Sequence, residues 1–230
     1  MQRDTDKDWS QLAESEPYWA VLSVDQYRAG AMTEEARAQF YRDGARAARQ
    51  LIEHIRFHFD QNWTPARVLD FGCGVGRMTL PFAETCLEEA VGLDIAEGML
   101  RIAREKCASL DVQNCRFEKS DDALTAATGH FDLVNSFIVL QHIPTERGYR
   151  LIDRLIGKIS PGGFGAIHLT YGVEGPDEAD EEAPEGTISM FSYDLGRIMR
   201  QLAGVTQKPV VTFPREQQGH PGIYLLFQKS

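Results

Sequence analysis

The 230-residue sequence lacks long hydrophobic runs, paired cysteines and an excess of positive charge, and each shortage excludes a class of protein. No apolar stretch approaches the roughly 18 residues of a membrane span. The first residues carry Arg3, Asp4, Asp6, Lys7 and Asp8, which does not suit a secretory signal, so a cytoplasmic protein is expected. Its four cysteines, Cys73, Cys86, Cys107 and Cys115, form no Cys-x-x-Cys pair and no zinc-type spacing with histidine. Reduced thiols and no metal site follow. With 24 Lys and Arg against 34 Asp and Glu, the net charge of −10 opposes contact with a phosphate backbone, which needs clustered cations. Nucleic acid is not an expected partner, and neither is a membrane. No internal repeat is evident, and 43% hydrophobic residues suffice for the core of one domain.

What the chain does contain is concentrated in residues 68–79. There an apolar run, Val68-Leu69, leads to Asp70 and then to Gly72, Gly74 and Gly76 at alternate positions. The run reads as the end of a buried strand. The glycines permit a turn so tight that backbone amides can approach a ligand, and a helix expected from about Arg77 to Cys86 points its positive end at the same place. A dinucleotide fingerprint needs its third glycine three positions after the second, but Arg77 stands there. Asp70 would repel a pyrophosphate and attract an ammonium. A nucleotide-like ligand with an ammonium and no phosphate fits better than NAD, and S-adenosylmethionine is such a ligand.

With these residues the sequence resembles the class I S-adenosylmethionine-dependent methyltransferases, and further segments follow in the family's order. Val91-Gly-Leu-Asp94-Ile95 resembles the second strand, whose terminal acid grips both ribose hydroxyls. Ser120-Asp121-Asp122-Ala123 is similar to the adenine-binding segment. Phe131 to Asn135 and Ser136, followed by Val139 to Pro144, resemble the fourth strand and the loop over the methyl group, and Ser160 to Gly165 the turn before the fifth strand. The resemblance covers about residues 65–171. It implies a Rossmann-like, doubly wound α/β fold with a seven-stranded, mostly parallel sheet and an antiparallel last strand. It also implies that Asp70, Gly72, Gly74, Gly76, Asp94, Asp121, Asp122, Asn135 and Ser136 form the cofactor site. Ile95 and Met99 would pack on adenine, although core packing explains both equally.

Residues 1–62 read as an N-terminal helical cap or lid belonging to the same domain as the core, residues 63–230. The cap divides at Gly30, and Thr33 starts its long second helix. Tyr18 and Trp19 either shape the substrate pocket or pack the helix onto the sheet. Tyr171 and His220 fall at the ligand end of the sheet and are further pocket candidates, with ordinary loop residues as the alternative reading. Glu97 to about Leu110 is expected to be helical, and Ser192 to cap a helix ending at Gly204. Residues 174–186 read as an acidic solvated loop, and Val210–Phe213 and Ile223–Phe227 as the last strands.

His142 follows the fourth strand, where the resemblance places the methyl group. Its ordinary pKa near 6.5 suits a general base, while loop scaffolding is the other reading. Methyl transfer needs alignment more than a strong acid, so the absence of a catalytic dyad is no objection. The expected function is transfer of a methyl group from S-adenosylmethionine to an oxygen or nitrogen of a small-molecule acceptor. The competing reading is a non-catalytic regulatory module that binds S-adenosylmethionine or S-adenosylhomocysteine.

Overall fold

The computed structural model describes residues 4–172, 175–176, 188–215 and 220–230. Five short apolar segments form its centre: β1 (Arg67–Phe71), β2 (Glu89–Asp94), β3 (Cys115–Lys119), β4 (Phe131–Ser136) and β5 (Ile159–Thr170). They pair in parallel, as β-branched and leucine-rich runs buried on both faces do. Two more strands, β8 (Val211–Pro214) and β9 (Gly222–Gln228), complete a seven-stranded sheet of order β3-β2-β1-β4-β5-β9-β8. β9 is antiparallel to both its neighbours. The Rossmann-like sheet with an antiparallel last strand is therefore as expected. A separate ribbon pairs β6 (Gly175–Pro176) with β7 (Phe191–Ser192). The remainder of the acidic segment 174–186 lies outside the described residues.

Helices cover both faces. On one face, α6 (Thr145–Lys158) and α7 (Leu195–Ala203) bury Leu151, Ile152, Leu155, Ile198 and Leu202 against Val91, Val134 and Ile167. On the other, α3 (Glu34–His58) and α4 (Thr79–Thr85) set Leu51, Ile55 and Phe82 against Val68, Leu133 and Leu226. Each such side chain contributes about 1.5–3 kcal/mol by leaving water, so the helices are held by their apolar stripes. Thr33 caps α3 as expected, its Oγ1 accepting the Ala36 N–H at 3.1 Å.

Before α3 lie α1 (Thr5–Ser15) and α2 (Pro17–Val21), which pack through Leu12, Ala13 and Ala20 on Val75, Met99 and Phe40. The cap thus touches the glycine turn and α5 (Glu97–Ser109) directly.

Several boundaries differ from the sequence reading. The helix after the glycines starts at Thr79, because residues 72–78 are consumed by turns. Asp194, not Ser192, caps α7: its carboxylate accepts the Gly196 N–H at 2.7 Å, while Ser192 belongs to β7. Ser160 to Gly165 is no separate turn. It lies within β5, where the pairing slips between Phe131↔Ile159 and Leu133↔Phe164 and absorbs the extra residues.

Candidate functional site

The carboxyl ends of β1, β2 and β4 open into a cavity of about 1040 Å³, its mouth included. Its floor is the turn after β1. Gly72 has φ +73° and Gly74 φ +52°, the left-handed region in which a Cβ is strained. A Cβ on Gly72 would also stand 2.2 Å from Val139 Cγ2, and one on Gly74 would stand 2.9 Å from Val21 Cγ2.

Four of the turn amides, the three glycine amides among them, are spent within the protein rather than left for a ligand. Those of Gly72 and Cys73 donate to the Leu93 carbonyl at 2.7 and 3.0 Å, that of Gly74 to Asp94 Oδ2 at 2.8 Å, and that of Gly76 to the Cys73 carbonyl at 3.0 Å. The glycines clear space while their hydrogen bonds fasten β1 to β2. Gly76 does not line the cavity, and a Cβ there would meet Phe117 at 2.9 Å.

Asp94 lies on the cavity wall at the tip of β2. Each oxygen accepts one backbone N–H, from Gly74 at 2.8 Å and from Ala96 at 2.9 Å. One lone pair per oxygen remains, which is what a vicinal diol requires. Burial raises its pKa, against the pull of these amides. Asp70 also faces the cavity, but its oxygens hold Thr79 Oγ1 at 2.6 Å and Asn135 Nδ2 at 2.7 Å. Burial pushes its pKa up to about 6, although both hydrogen bonds oppose this.

Asn135 sits behind the cavity, between Asp70 and the Tyr224 hydroxyl, which donates to its Oδ1. Ser136 is buried and likewise does not line the cavity. Both therefore stand outside the lining where the sequence reading put them, because β4 turns them into the protein.

Asp121 and Asp122 line the cavity beyond β3, with Ile95 and Met99 beside them. The exposed Asp121 carboxylate accepts from the Thr125 hydroxyl and amide, which hold its pKa below the usual range. Asp122 pairs with Arg147 of α6 at 2.7 Å. Arg147 also grips Asp6 of α1 with two bonds of 2.7 and 2.9 Å, tying the cap to the sheet.

The cap side was read least well. Tyr18 packs edge-on against Phe40 with centroids 5.2 Å apart, and Trp19 lies 4.1 Å beneath the Arg28 guanidinium; neither lines the cavity. Trp9, Ala20 and Val21 do. Tyr171 and His220 are also outside the lining. Tyr171 forms an isolated bridge with Tyr193. Trp9 could have been found from its place on the Trp9–Leu12–Ala13 stripe of α1, but that stripe announces packing and not a ligand.

His142 lies on the wall, 5.0 Å centroid to centroid from Trp9. Its Nδ1 is 2.9 Å from the Ser189 carbonyl, a contact that requires Nδ1–H and leaves Nε2 as an acceptor. Burial pushes its pKa down to about 4. The value near 6.5 used in the sequence reading does not apply. Beside it Ile138 holds φ +61°, a rare conformation for a β-branched residue and the kind of strain that gathers at functional sites. Among the described residues no cluster of His, Cys, Asp and Glu is arranged to hold a metal ion, and no helix is long and apolar enough to cross a membrane.

Residues 68–163 match the family model of a methyltransferase domain, over the same β1 to β5 segments that build the cavity. Residues 68–163 carry a methyltransferase domain, set in the Rossmann-like fold of the class I S-adenosylmethionine-dependent enzymes. The methyltransferase domain shares 32% identity over 148 residues with trans-aconitate 2-methyltransferase of Deinococcus radiodurans, covering 64% of this chain and 53% of that one. With the enzyme of the same description from Pseudomonas paraeruginosa it shares 30% over 173 residues, or 72% and 58% of the two chains. The chain spans about half the length of the curated relatives it matches. Magnesium protoporphyrin IX methyltransferase of Synechocystis PCC 6803, solved with bound S-adenosylmethionine, matches the fold with a TM-score of 0.66 at 20% identity, over 100% of this chain and 99% of that one.

The cofactor of the family is S-adenosylmethionine, and the cavity fits it. Asp94 has free lone pairs for a ribose diol, the glycine turn leaves room where any Cβ would intrude, and Met99 and Ile95 offer apolar surface beside them.

Proposed function

We propose that this protein transfers a methyl group from S-adenosylmethionine to an oxygen or nitrogen of a small-molecule acceptor. The observation that carries the reading is the convergence of Gly72, Gly74, Asp94, Asp121 and Met99 on one cavity at the carboxyl ends of the parallel strands. Bound there, the cofactor supplies an electrophilic methyl group on a sulfonium. The chain's own residues hold and align. Asp94 takes the ribose hydroxyls, Asp70 faces the ammonium, and Asp121 and Asp122 stand at the adenine end. The cap, residues 1–62, acts as a lid: Trp9 and Val21 exclude water from one side and the Asp6–Arg147 pair holds it closed. In-line alignment in such an enclosure is worth on the order of 7 kcal/mol or more.

His142 is our candidate for the group that receives the acceptor's proton. The Ser189 carbonyl fixes its tautomer, so Nε2 is unprotonated and available at neutral pH. A small acceptor suits the enclosed cavity, and the trans-aconitate and porphyrin methyltransferases named among the similar proteins support that size class. The four unpaired thiols support a reducing, cytoplasmic setting.

Calorimetry provides the test. S-adenosylmethionine and S-adenosylhomocysteine should bind without metal and in preference to NAD. Asp94→Ala should weaken binding by about 2–3 kcal/mol, the worth of two charge-assisted hydrogen bonds. Undiminished affinity in that variant would remove Asp94 from the site, and tight binding with no transfer to any acceptor would leave a regulatory module instead.

A further inference from the structure

Arg77 follows the last glycine of the turn and lines the cavity, yet the cofactor contacts described above do not use it. The residue is only 6% exposed. Its Nη1 is fully enclosed and has no hydrogen-bond partner among the described residues. The guanidinium carbon lies 5.3 Å from the Phe40 ring centroid. A guanidinium does not give up its proton, so the cavity wall retains a buried cation. Such a charge is costly unless something pairs with it.

Among the described residues, the carboxylates whose charge reaches it are committed elsewhere. Asp43 accepts from Gln39 Nε2 at 2.8 Å and from Arg46 at 2.5 Å, and Asp70 holds Thr79 and Asn135. Both act on Arg77 through space, while Arg215 adds a further positive charge to its surroundings. The room for a pairing anion is therefore in the cavity.

We propose that Arg77 is a carboxylate-binding residue of this cavity, its planar fork of donors taking both oxygens of a ligand carboxylate. Arginine suits that geometry better than any other side chain. Asp70 and Arg77 also bracket the glycine turn with opposite charges, which matches the ammonium and carboxylate of an α-amino acid. Two ligands would present a carboxylate to Arg77: the amino-acid end of S-adenosylmethionine, and an acidic methyl acceptor. The first source rests on the methyltransferase reading, whereas carboxylate recognition itself does not.

The test uses the full chain, the variants Arg77→Met and Arg77→Lys, and three probes. S-adenosylhomocysteine carries the carboxylate, 5′-methylthioadenosine is the same nucleoside without the amino-acid end, and citrate is a free polycarboxylate. Arg77→Met should keep or raise the melting temperature of the unliganded protein, since it removes an unpaired buried charge. If the cofactor is the source, the variant should bind S-adenosylhomocysteine about 10- to 100-fold more weakly with methylthioadenosine unchanged, and Arg77→Lys should recover part of the loss. If the acceptor is the source, S-adenosylhomocysteine affinity should persist, while stabilisation of the S-adenosylhomocysteine-loaded protein by citrate disappears. Equal loss of both nucleosides, no change with any probe, or a large fall in unliganded melting temperature would overturn the proposal. If the native protein binds neither nucleoside, the methyltransferase reading fails separately, and Arg77 stands or falls on whether citrate raises the melting temperature of the unliganded native protein and not that of Arg77→Met.

Discussion

Two turns meet across the cavity and are held in place by opposite means. The turn after β1 bends at three glycines of positive φ, and their amides are spent on Leu93 and Asp94 of the neighbouring strand and on Cys73. The turn after β4 has no glycine. It bends at Ile138 with φ +61°, and residues about 50 positions away hold it. The Tyr193 hydroxyl lies 2.8 Å from both the Leu140 and Ile143 carbonyls, which share its one proton, and the Ser189 carbonyl anchors His142. The first turn is a cavity floor bent by its own glycines and fastened to the end of β2, about 20 residues on. The second is a strained wall that exists only once the chain beyond β5 has come back to it.

The largest effect that would sharpen this contrast concerns catalysis on the second turn. His142→Asn should leave cofactor affinity intact but lower turnover by about 10²–10⁴. Because burial depresses the imidazole to about 4, the native enzyme should lose activity only as pH falls through about 4, where Nε2 becomes protonated. An acid limb near 6.5, or near-native turnover in the variant, would return His142 to a scaffolding role.

The first turn should break sterically. Gly72→Val places a β-branched side chain at φ +73° and into Val139, so it should cost about 4 kcal/mol of stability as strain and overpacking combine. Gly74→Val is strained too, at φ +52°, so its folding should suffer along with its binding. Urea unfolding of Gly72→Val within 1 kcal/mol of the native protein would show that the two turns do not press on one another.

A smaller effect lies beneath the first turn. The Asp70 pKa, raised to about 6 in the fold, exceeds its ordinary 3.8. A raised carboxyl pKa stabilises the fold below the unfolded value, and that stability is lost as pH rises through about 6. Ionised Asp70 should therefore cost about 2 kcal/mol at pH 7 relative to pH 4. His142 and His168, both depressed to about 4, act in the opposite direction, losing stability as pH falls from 6.5 to 4. The Asp70 contribution thus emerges as a difference: Asp70→Asn should steepen the net acid loss of stability. An unchanged pH slope in that variant would mean that Thr79 and Asn135 already offset the burial.

The legibility of the site follows the same division. Asp70, Gly72, Gly74, Asp94, Ile95, Met99, Asp121 and Asp122 were read from spacing and resemblance, and all line the cavity. Asn135 and Ser136 were read as cofactor contacts, yet β4 turns Asn135 toward Asp70 and Tyr224 and buries Ser136. Tyr18 and Trp19 carry the aromatic signal of the cap, but Phe40 and Arg28 claim them and Trp9 takes the wall. Aromatic content says that a helix will bury something. It does not say against what.

By itself the sequence determined the strands and the acidic and glycine residues at their ends, because those depend on local periodicity and on contacts within a few residues of a strand end, while the resemblance to the methyltransferases is what implied their order and their place in one site. Only the tertiary structure decided which side chains face the cavity from the cap and from the β4 turn. It also decided that the glycine amides bind protein, that His142 is buried to a pKa of about 4, and that Nη1 of Arg77 is enclosed with no hydrogen-bond partner among the described residues. Each of these depends on segments far apart in the chain, and burial, the cause they share, is a property of the assembled layers rather than of any one segment.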